Sequence, residues 1–211
     1  MKKLCFFHKI PLVLGLICLV FAAVLLSWRL IPGVRNQHTL TLPAGTLAIT
    51  DLGKEFKTTR PVDIYLSWPA ELKAGEEAEV NLRLSASQSQ DEAGDYAHPV
   101  MAELAFVGLQ QTPQGYVQTL LENDHETLLS WQISTDQVGS YKGRLWISLG
   151  FADATGEPED ATLAAVELQT EVTRLWGMDV RSATGLGLSA LLLWGCLMAL
   201  SVWLEHRYLQ G

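Results

Sequence analysis

The side chains with the greatest capacity for chemistry are carboxylates gathered in three polar stretches: Asp91-Glu92-Ala93-Gly94-Asp95, Glu122-Asn123-Asp124-His125-Glu126, and Asp153 to Asp160, read as DATGEPED. Clustered carboxylates are what a hard cation such as calcium takes, in shells of about six to eight oxygens. None of the three follows the EF-hand order, so solvated connections between elements are the preferred reading. Asp153, Glu157, Glu159 and Asp160, in the densest stretch, are the best calcium candidates. His38, His98 and His125 are scattered, with no pair at the close spacing that puts two imidazoles on one transition metal. His125 between Asp124 and Glu126 resembles a proton-transfer group, but a hairpin turn explains the same residues without a substrate. No Gly-x-Ser-x-Gly, phosphate-cradling glycine loop or His-Glu-x-x-His occurs. No catalytic residue, cofactor or resident metal is therefore expected.

The second kind of chemistry is recognition, and here the aromatic residues matter. In Arg144-Leu145-Trp146-Ile147-Ser148-Leu149-Gly150-Phe151 the apolar set Leu145, Ile147, Leu149 and Phe151 alternates cleanly. Successive side chains of a strand point to opposite faces, so Arg144, Trp146 and Ser148 fall on the outer one. By the same alternation Val62, Ile64, Leu66 and Trp68 point inward and Tyr65 outward. Val80, Leu82 and Leu84 point inward and Arg83 outward. Trp131, in step with Leu129 and Ile133, is core. Trp146, Arg144, Tyr65 and Arg83 are thus the partner-binding candidates, and they form one shared patch if their strands lie in the same sheet. Tryptophan, tyrosine and arginine suit that role because they bury large area and still offer polar contacts.

Those residues need strands, and period-2 runs recur from residue 38 to 173. The expected strands cover 38–43, 45–50, 62–68, 78–85, 99–108, 115–121, 126–133, 142–151 and 163–173, separated by Gly, Pro, Asp and Asn clusters. Pro69, followed by Lys73-Ala74-Gly75-Glu76, reads as the turn after the third of these. Many short alternating strands imply a mainly β chain with an antiparallel β-sandwich. The segments SWPAELKAGEEAEVNLRLS (67–85) and SWQISTDQVGSYKGRLWISLGF (130–151) resemble the early and closing hairpins of immunoglobulin-like modules in bacterial surface and membrane proteins. The resemblance covers roughly residues 65–173 and lacks the Cys…Trp…Cys spacing of antibody domains. Such modules share no catalytic set, so it implies binding or architecture.

The two ends of the chain are of another kind. Residues 10–31 (IPLVLGLICLVFAAVLLSWRLI) and 183–204 (ATGLGLSALLLWGCLMALSVWL) are each 22 residues long, and Arg29 is the one charge in either. As helices they rise about 33 Å, enough for a hydrocarbon core of about 30 Å. The first run is too long for a cleaved signal and has no small-x-small site at its outer end, so it reads as an uncleaved anchor. Lys2, Lys3 and Lys9 precede it against Arg29 and Arg35 beyond it, which puts the N-terminus in the cytoplasm. The expected layout is a cytoplasmic tail (1–9), a first transmembrane helix (10–31), an extracytoplasmic sandwich (32–182), a second transmembrane helix (183–204) and a cytoplasmic tail (205–211). Trp28, Trp176, Trp203 and Tyr208 fall near the expected interfaces.

Charge and cysteine usage restrict the partners. The central region carries 22 acidic against 10 basic residues, formally −12, which argues against nucleic acid. Cys5, Cys18 and Cys196 lie in or beside the apolar ends, so the central region has no disulfide and no thiolate zinc site. The tails are too short to fold into a kinase or nucleotide-binding unit. The expected partners are the lipid bilayer and another membrane or envelope protein. The reading that results is a membrane-anchored interaction or scaffold protein in a cell envelope, of the kind that serves as an accessory subunit of a membrane complex. The alternatives are a small-ligand or calcium sensor acting through a membrane partner and, behind it, an enzyme with an unrecognised site.

Overall fold

The structure, a computed structural model, describes residues 4–43, 47–50, 55–57, 61–86, 98–121, 126–152 and 158–209. The chain divides into two compact units, one formed by Met1–Pro32 with Arg174–Gly211 and the other by Gly33–Thr173.

The first unit is a pair of helices, α1 (Leu4–Leu30) and α2 (Val180–Leu209). Residues Ile10–Leu30 and Val180–Arg207 within them are long and apolar enough to cross a membrane. Neither helix has an apolar stripe and a polar stripe; both are apolar all round, which is the pattern of a helix surrounded by hydrocarbon or protein and not by water. They pack where side chains are small. A β-carbon on Gly187 would lie 3.2 Å from the Leu26 side chain, and one on Gly15 would lie 3.4 Å from Trp194.

The second unit is all β. In chain order its strands are β1 (Arg35–Leu42), β2 (Leu47–Thr50), β3 (Glu55–Lys57), β4 (Val62–Pro69), β5 (Glu71–Lys73), β6 (Glu77–Ala86), β7 (His98–Phe106), β8 (Gln110–Thr112), β9 (Tyr116–Leu121), β10 (Thr127–Ser134), β11 (Gly139–Ala152) and β12 (Pro158–Thr173). One sheet has the order β1-β4-β6-β10-β8. The other has the order β3-β2-β12-β11-β7-β9, with β5 added alongside β12. All pairings are antiparallel except β5 with β12. The chain is therefore a mainly β protein: a largely antiparallel, two-sheet β-sandwich with an apolar helix at each end of the chain.

The inner faces follow the alternation expected from sequence. Val62, Ile64, Leu66 and Trp68 of β4 meet Val80, Leu82 and Leu84 of β6 and Leu129, Trp131 and Ile133 of β10, all buried. From the opposite sheet come Val100, Ala102, Leu104 and Phe106 of β7, Leu145 and Ile147 of β11, and Leu168 and Val172 of β12. Each such valine, leucine, isoleucine or phenylalanine contributes about 1.5–3 kcal/mol by leaving water. Trp131 is completely enclosed and Trp68 is 9% exposed, so both are core. The Trp68 indole N–H donates to the Gln169 carbonyl 3.1 Å away, tying one sheet to the other. Gly143, inward on β11, makes room for the Phe106 ring, since a β-carbon there would sit 2.5 Å from the ring. The register along β11 and β12 shifts once, between Ile147 and Ser148, where Ala164 and Thr162 are successive partners and Leu163 is the extra residue.

The differences from the expected strands have physical causes. Three strands, β3, β5 and β8, are three residues long, too short for a period to show. Glu71–Lys73 lies in what reads as the connection after Pro69, yet it pairs with Glu171–Thr173 of the other sheet. The turn proper is Ala74-Gly75, with Gly75 at a φ of 79°. Pro158, Glu159 and Asp160, read as part of an acidic loop, already belong to β12 and pair with Ala152, Phe151 and Gly150.

Candidate recognition surface

The outer faces of the two sheets carry the aromatic residues and arginines singled out from sequence, but they do not bring all four together. Tyr65 on β4 and Arg83 on β6 are direct cross-strand partners in the first sheet. Arg144 and Trp146 lie two residues apart on β11 in the second sheet. The single shared patch is therefore corrected to two pairs on different sheets. The reason is topological: β4 and β6 pair with each other in one sheet, whereas β11 takes its neighbours from β7 and β12 in the other.

In each pair the guanidinium sits near the ring. The Arg83 guanidinium carbon is 6.0 Å from the Tyr65 ring centroid, and that of Arg144 is 5.7 Å from the centroid of Trp146. Contacts of this kind at exposed sites contribute roughly 0.5–1 kcal/mol. Arg83 also faces Glu126 at 3.9 Å, while Arg144 forms a closer pair with Glu167, its cross-strand partner, at 2.8 Å. Both ion pairs are well exposed, so each contributes about 0–1 kcal/mol and mainly fixes side-chain direction.

The second sheet carries a further aromatic residue on the face of Trp146. Reading across its strands at one level, Tyr116 of β9 is opposite Glu103 of β7, Glu103 is opposite Trp146 of β11, and Trp146 is opposite Ala165 of β12. Residues opposite one another in antiparallel strands share a face. Tyr116 and Trp146 therefore stand on the same face two strands apart, about 10 Å at the usual strand spacing. Tyr116 is 67% exposed and Trp146 half-buried. Met101, between Gln118 and Ser148, occupies the next outward row. Beside Trp146 a groove of about 580 Å³ is bordered by Arg144, Glu167, Lys142, Asn36 and Trp68. It combines a ring, planar amide and guanidinium groups and both signs of charge.

Tyr116 was not reached by sequence reasoning. Its alternation with Val117, Gln118, Thr119 and Leu120 marks it as outward, but nothing local says that β9 joins β7 and so the sheet of Trp146.

The acidic stretches give little to build on. Asp91 to Asp95, Asp124 and His125, together with the calcium candidates Asp153 and Glu157, lie outside the described residues. Glu159 and Asp160 are placed on β12 as above. Among the described residues, no group of three or more His, Cys, Asp or Glu side chains is disposed to hold a metal ion. His38 and His98 sit on strands of different sheets.

No family model matches the chain, and no curated protein matches it. Some solved structures are similar to it over about half of its length. A chain from the complex of zinc 2-glycoprotein and prolactin-inducible protein of human seminal plasma is 11% identical, with a TM-score of 0.38 over 53% of this chain and 93% of that one. A PapD-like domain of human CEP192 is 12% identical, with a TM-score of 0.34 over 54% and 86%. A cohesin module from a family 33 glycoside hydrolase of Clostridium perfringens is 13% identical, with a TM-score of 0.29 over 54% and 96%.

Proposed function

We propose that this chain is a membrane-anchored interaction protein of a bacterial cell envelope. Helices α1 and α2 cross the bilayer, both termini are cytoplasmic, and residues 32–182 stand outside the cytoplasm as an immunoglobulin-like module. Its role is to dock another membrane or envelope protein as an accessory subunit. The observation that carries the docking reading is the row of Tyr116 and Trp146 on one sheet face. Tryptophan and tyrosine are among the residue types that dominate the energy of protein interfaces. The formal −12 of the central region directs the partner toward a neutral or cationic surface and away from nucleic acid.

The test is site-specific photo-crosslinking in intact cells. A crosslinking residue at position 116 or 146 should trap one discrete partner, and the same residue at position 83, on the other sheet, should not. Equal trapping at all three positions, or none at any, would remove the assignment of this face.

A further inference from the structure

An open sheet edge offers a row of main-chain N–H and C=O groups to any strand that comes beside it, and folded proteins guard such edges with charges, prolines or side-chain cover. Most edges of this sandwich are guarded. β8 is three residues long and is followed at once by Pro113. β3 is equally short, with Glu55 and Lys57 at its ends. Where β9 stops short of the end of β7, the Gln111 side-chain amide takes its place, accepting from the Phe106 N–H and donating to the Leu104 C=O. The Thr127 hydroxyl donates to the Leu120 C=O of β9 at 3.1 Å. On β12 the Trp68 indole N–H covers the Gln169 C=O, and the Glu171 N–H donates to the Ala70 C=O at 2.9 Å.

β1 is the exception. It ends the first sheet, runs for eight residues, contains no proline, lysine or carboxylate, and pairs with β4 in unbroken register. Its one formal charge is turned back over its own sheet: Arg35 Nε donates to the Ser67 hydroxyl at 3.0 Å, and Nη2 donates to the Glu79 C=O at 2.7 Å. The ladder fixes which main-chain groups face outward. The C=O of Val34, the residue before β1, accepts the Ala70 N–H at 2.7 Å, so even-numbered residues turn toward β4 and odd-numbered ones away from it. Pro69, which has no N–H to give, stands opposite Arg35, at a position that needs none. The open edge therefore presents the N–H and C=O groups of Gln37, Thr39 and Thr41, about 7 Å apart from one residue to the next. Among the described residues nothing bonds to these groups.

A row of this kind is matched by the backbone of another extended chain. Neighbouring side chains define that chain further. Leu40 is only partly covered on the inner face, whereas Thr39 and Thr41 are exposed on the outer one. An added antiparallel strand, like the rest of this sheet, would set an apolar residue beside Leu40 and polar ones beside the threonines. The formal −12 of the central region favours a neutral or basic strand and opposes a second copy, which brings the same charge again.

We propose that β1 is a strand-addition site for an extended, neutral-to-basic segment of a partner protein in which apolar and polar residues alternate. This edge and the Tyr116–Trp146 face belong to different sheets, so either contact can fail without the other.

The test uses the full chain in mild detergent and three fluorescent eight-residue peptides, with binding read by anisotropy. One peptide alternates valine and threonine between terminal lysines. The second is the same but N-methylated at its threonines, whose N–H groups face β1 when the valines point inward, and the third has glutamates in place of the lysines. The wild type should bind the first peptide, and each of the others roughly tenfold more weakly. Thr39→Pro removes one outward N–H and leaves the ladder with β4 whole, so it should melt close to the wild type while binding the first peptide roughly tenfold more weakly. A Thr39→Pro variant that melts far lower would show that this N–H faces β4, and the proposed edge would be wrong. No binding by the wild type, equal binding of the N-methylated peptide, or unchanged binding by Thr39→Pro would overturn the site. So would dimerisation of the wild type that Thr39→Pro abolishes, which would give the edge to a second copy.

Discussion

The two units use one apolar vocabulary to opposite ends. In the sandwich, leucine, isoleucine and valine face inward, and Leu66, Val80, Leu82, Leu104, Leu145 and Ile147 are all completely buried. In the helical unit the same residue types face outward: Leu14, Ile17, Val20, Leu186, Leu192 and Val202 are exposed along both helices. The sandwich closes its apolar surface with its own second sheet, so its sequence alternates with period 2. The helices cover only a seam between them, so their sequence has no polar face to turn toward water. Burial is thus intrinsic in one unit and must be supplied by the surroundings in the other. That contrast can be tested residue by residue.

Its sandwich side fails most severely at Trp131. The ring is enclosed between the sheets, opposite Val80 in register and flanked on its own strand by Leu129 and Ile133. Trp131→Ala should cost about 3–5 kcal/mol, a large share of the roughly 5–15 kcal/mol that holds a typical domain. Chemical denaturation of the full chain, followed by far-UV circular dichroism restricted to the β signal, measures it. An unchanged midpoint would mean that the core does not depend on this face of β10. One detail sharpens the test: the Trp131 indole N–H has no hydrogen-bond partner among the described residues. A buried unsatisfied donor costs about 1–3 kcal/mol, so Trp131→Phe should cost distinctly less than its loss of volume suggests.

The helical side of the contrast is tested by a residue that touches little protein. Leu192 is 73% exposed at the middle of the apolar run of α2. On a helix facing water, Leu192→Arg would be close to neutral. On a helix facing hydrocarbon it costs about 2.5–3.5 kcal/mol of insertion free energy. The expected outcome is a clear fall in the membrane-inserted fraction, measured by glycosylation mapping or by protease protection of the two ends. Full insertion of the variant would show that this surface of α2 meets protein or water.

What the sequence discloses divides along the same line. Patterns that repeat within one element are legible. Alternation in 62–68, 129–133 and 144–147 places Trp68, Trp131, Tyr65 and Trp146 on the faces they occupy, and uniform apolarity finds both helices. Relations between elements are not. Nothing local distinguishes a β6 that pairs with β10 from one that pairs with β11, so the sheet membership of Tyr65 and Trp146 had to come from the structure. The same holds for Tyr116 and for β5, whose three residues join the opposite sheet through a parallel pairing. The candidate surface was therefore half legible. Its Trp146 and Arg144 could be read from one strand, but the ring across from them could not.

Trp146 marks the smallest expected effect and the closest comparison, because it stands beside two core positions on the same strand. Leu145 and Ile147 are fully enclosed, while Trp146 between them points away from the core and is half-buried by Arg144 and its neighbours. Truncation of an inward residue here would leave a cavity. Removal of Trp146 instead uncovers an outer face and frees Arg144 to keep its 2.8 Å pair with Glu167. The loss is then a weak cation–π contact of roughly 0.5–1 kcal/mol and some sheltered area beside the groove. Trp146→Ala should lower the denaturation midpoint only slightly, far less than Trp131→Ala, while Trp146→Phe should be nearly silent. A Trp146→Ala variant that melts as low as Trp131→Ala would make Trp146 a second core residue. The outer face of this sheet would then be part of what holds the sandwich together, and the row it forms with Tyr116 would no longer be spare surface for a partner.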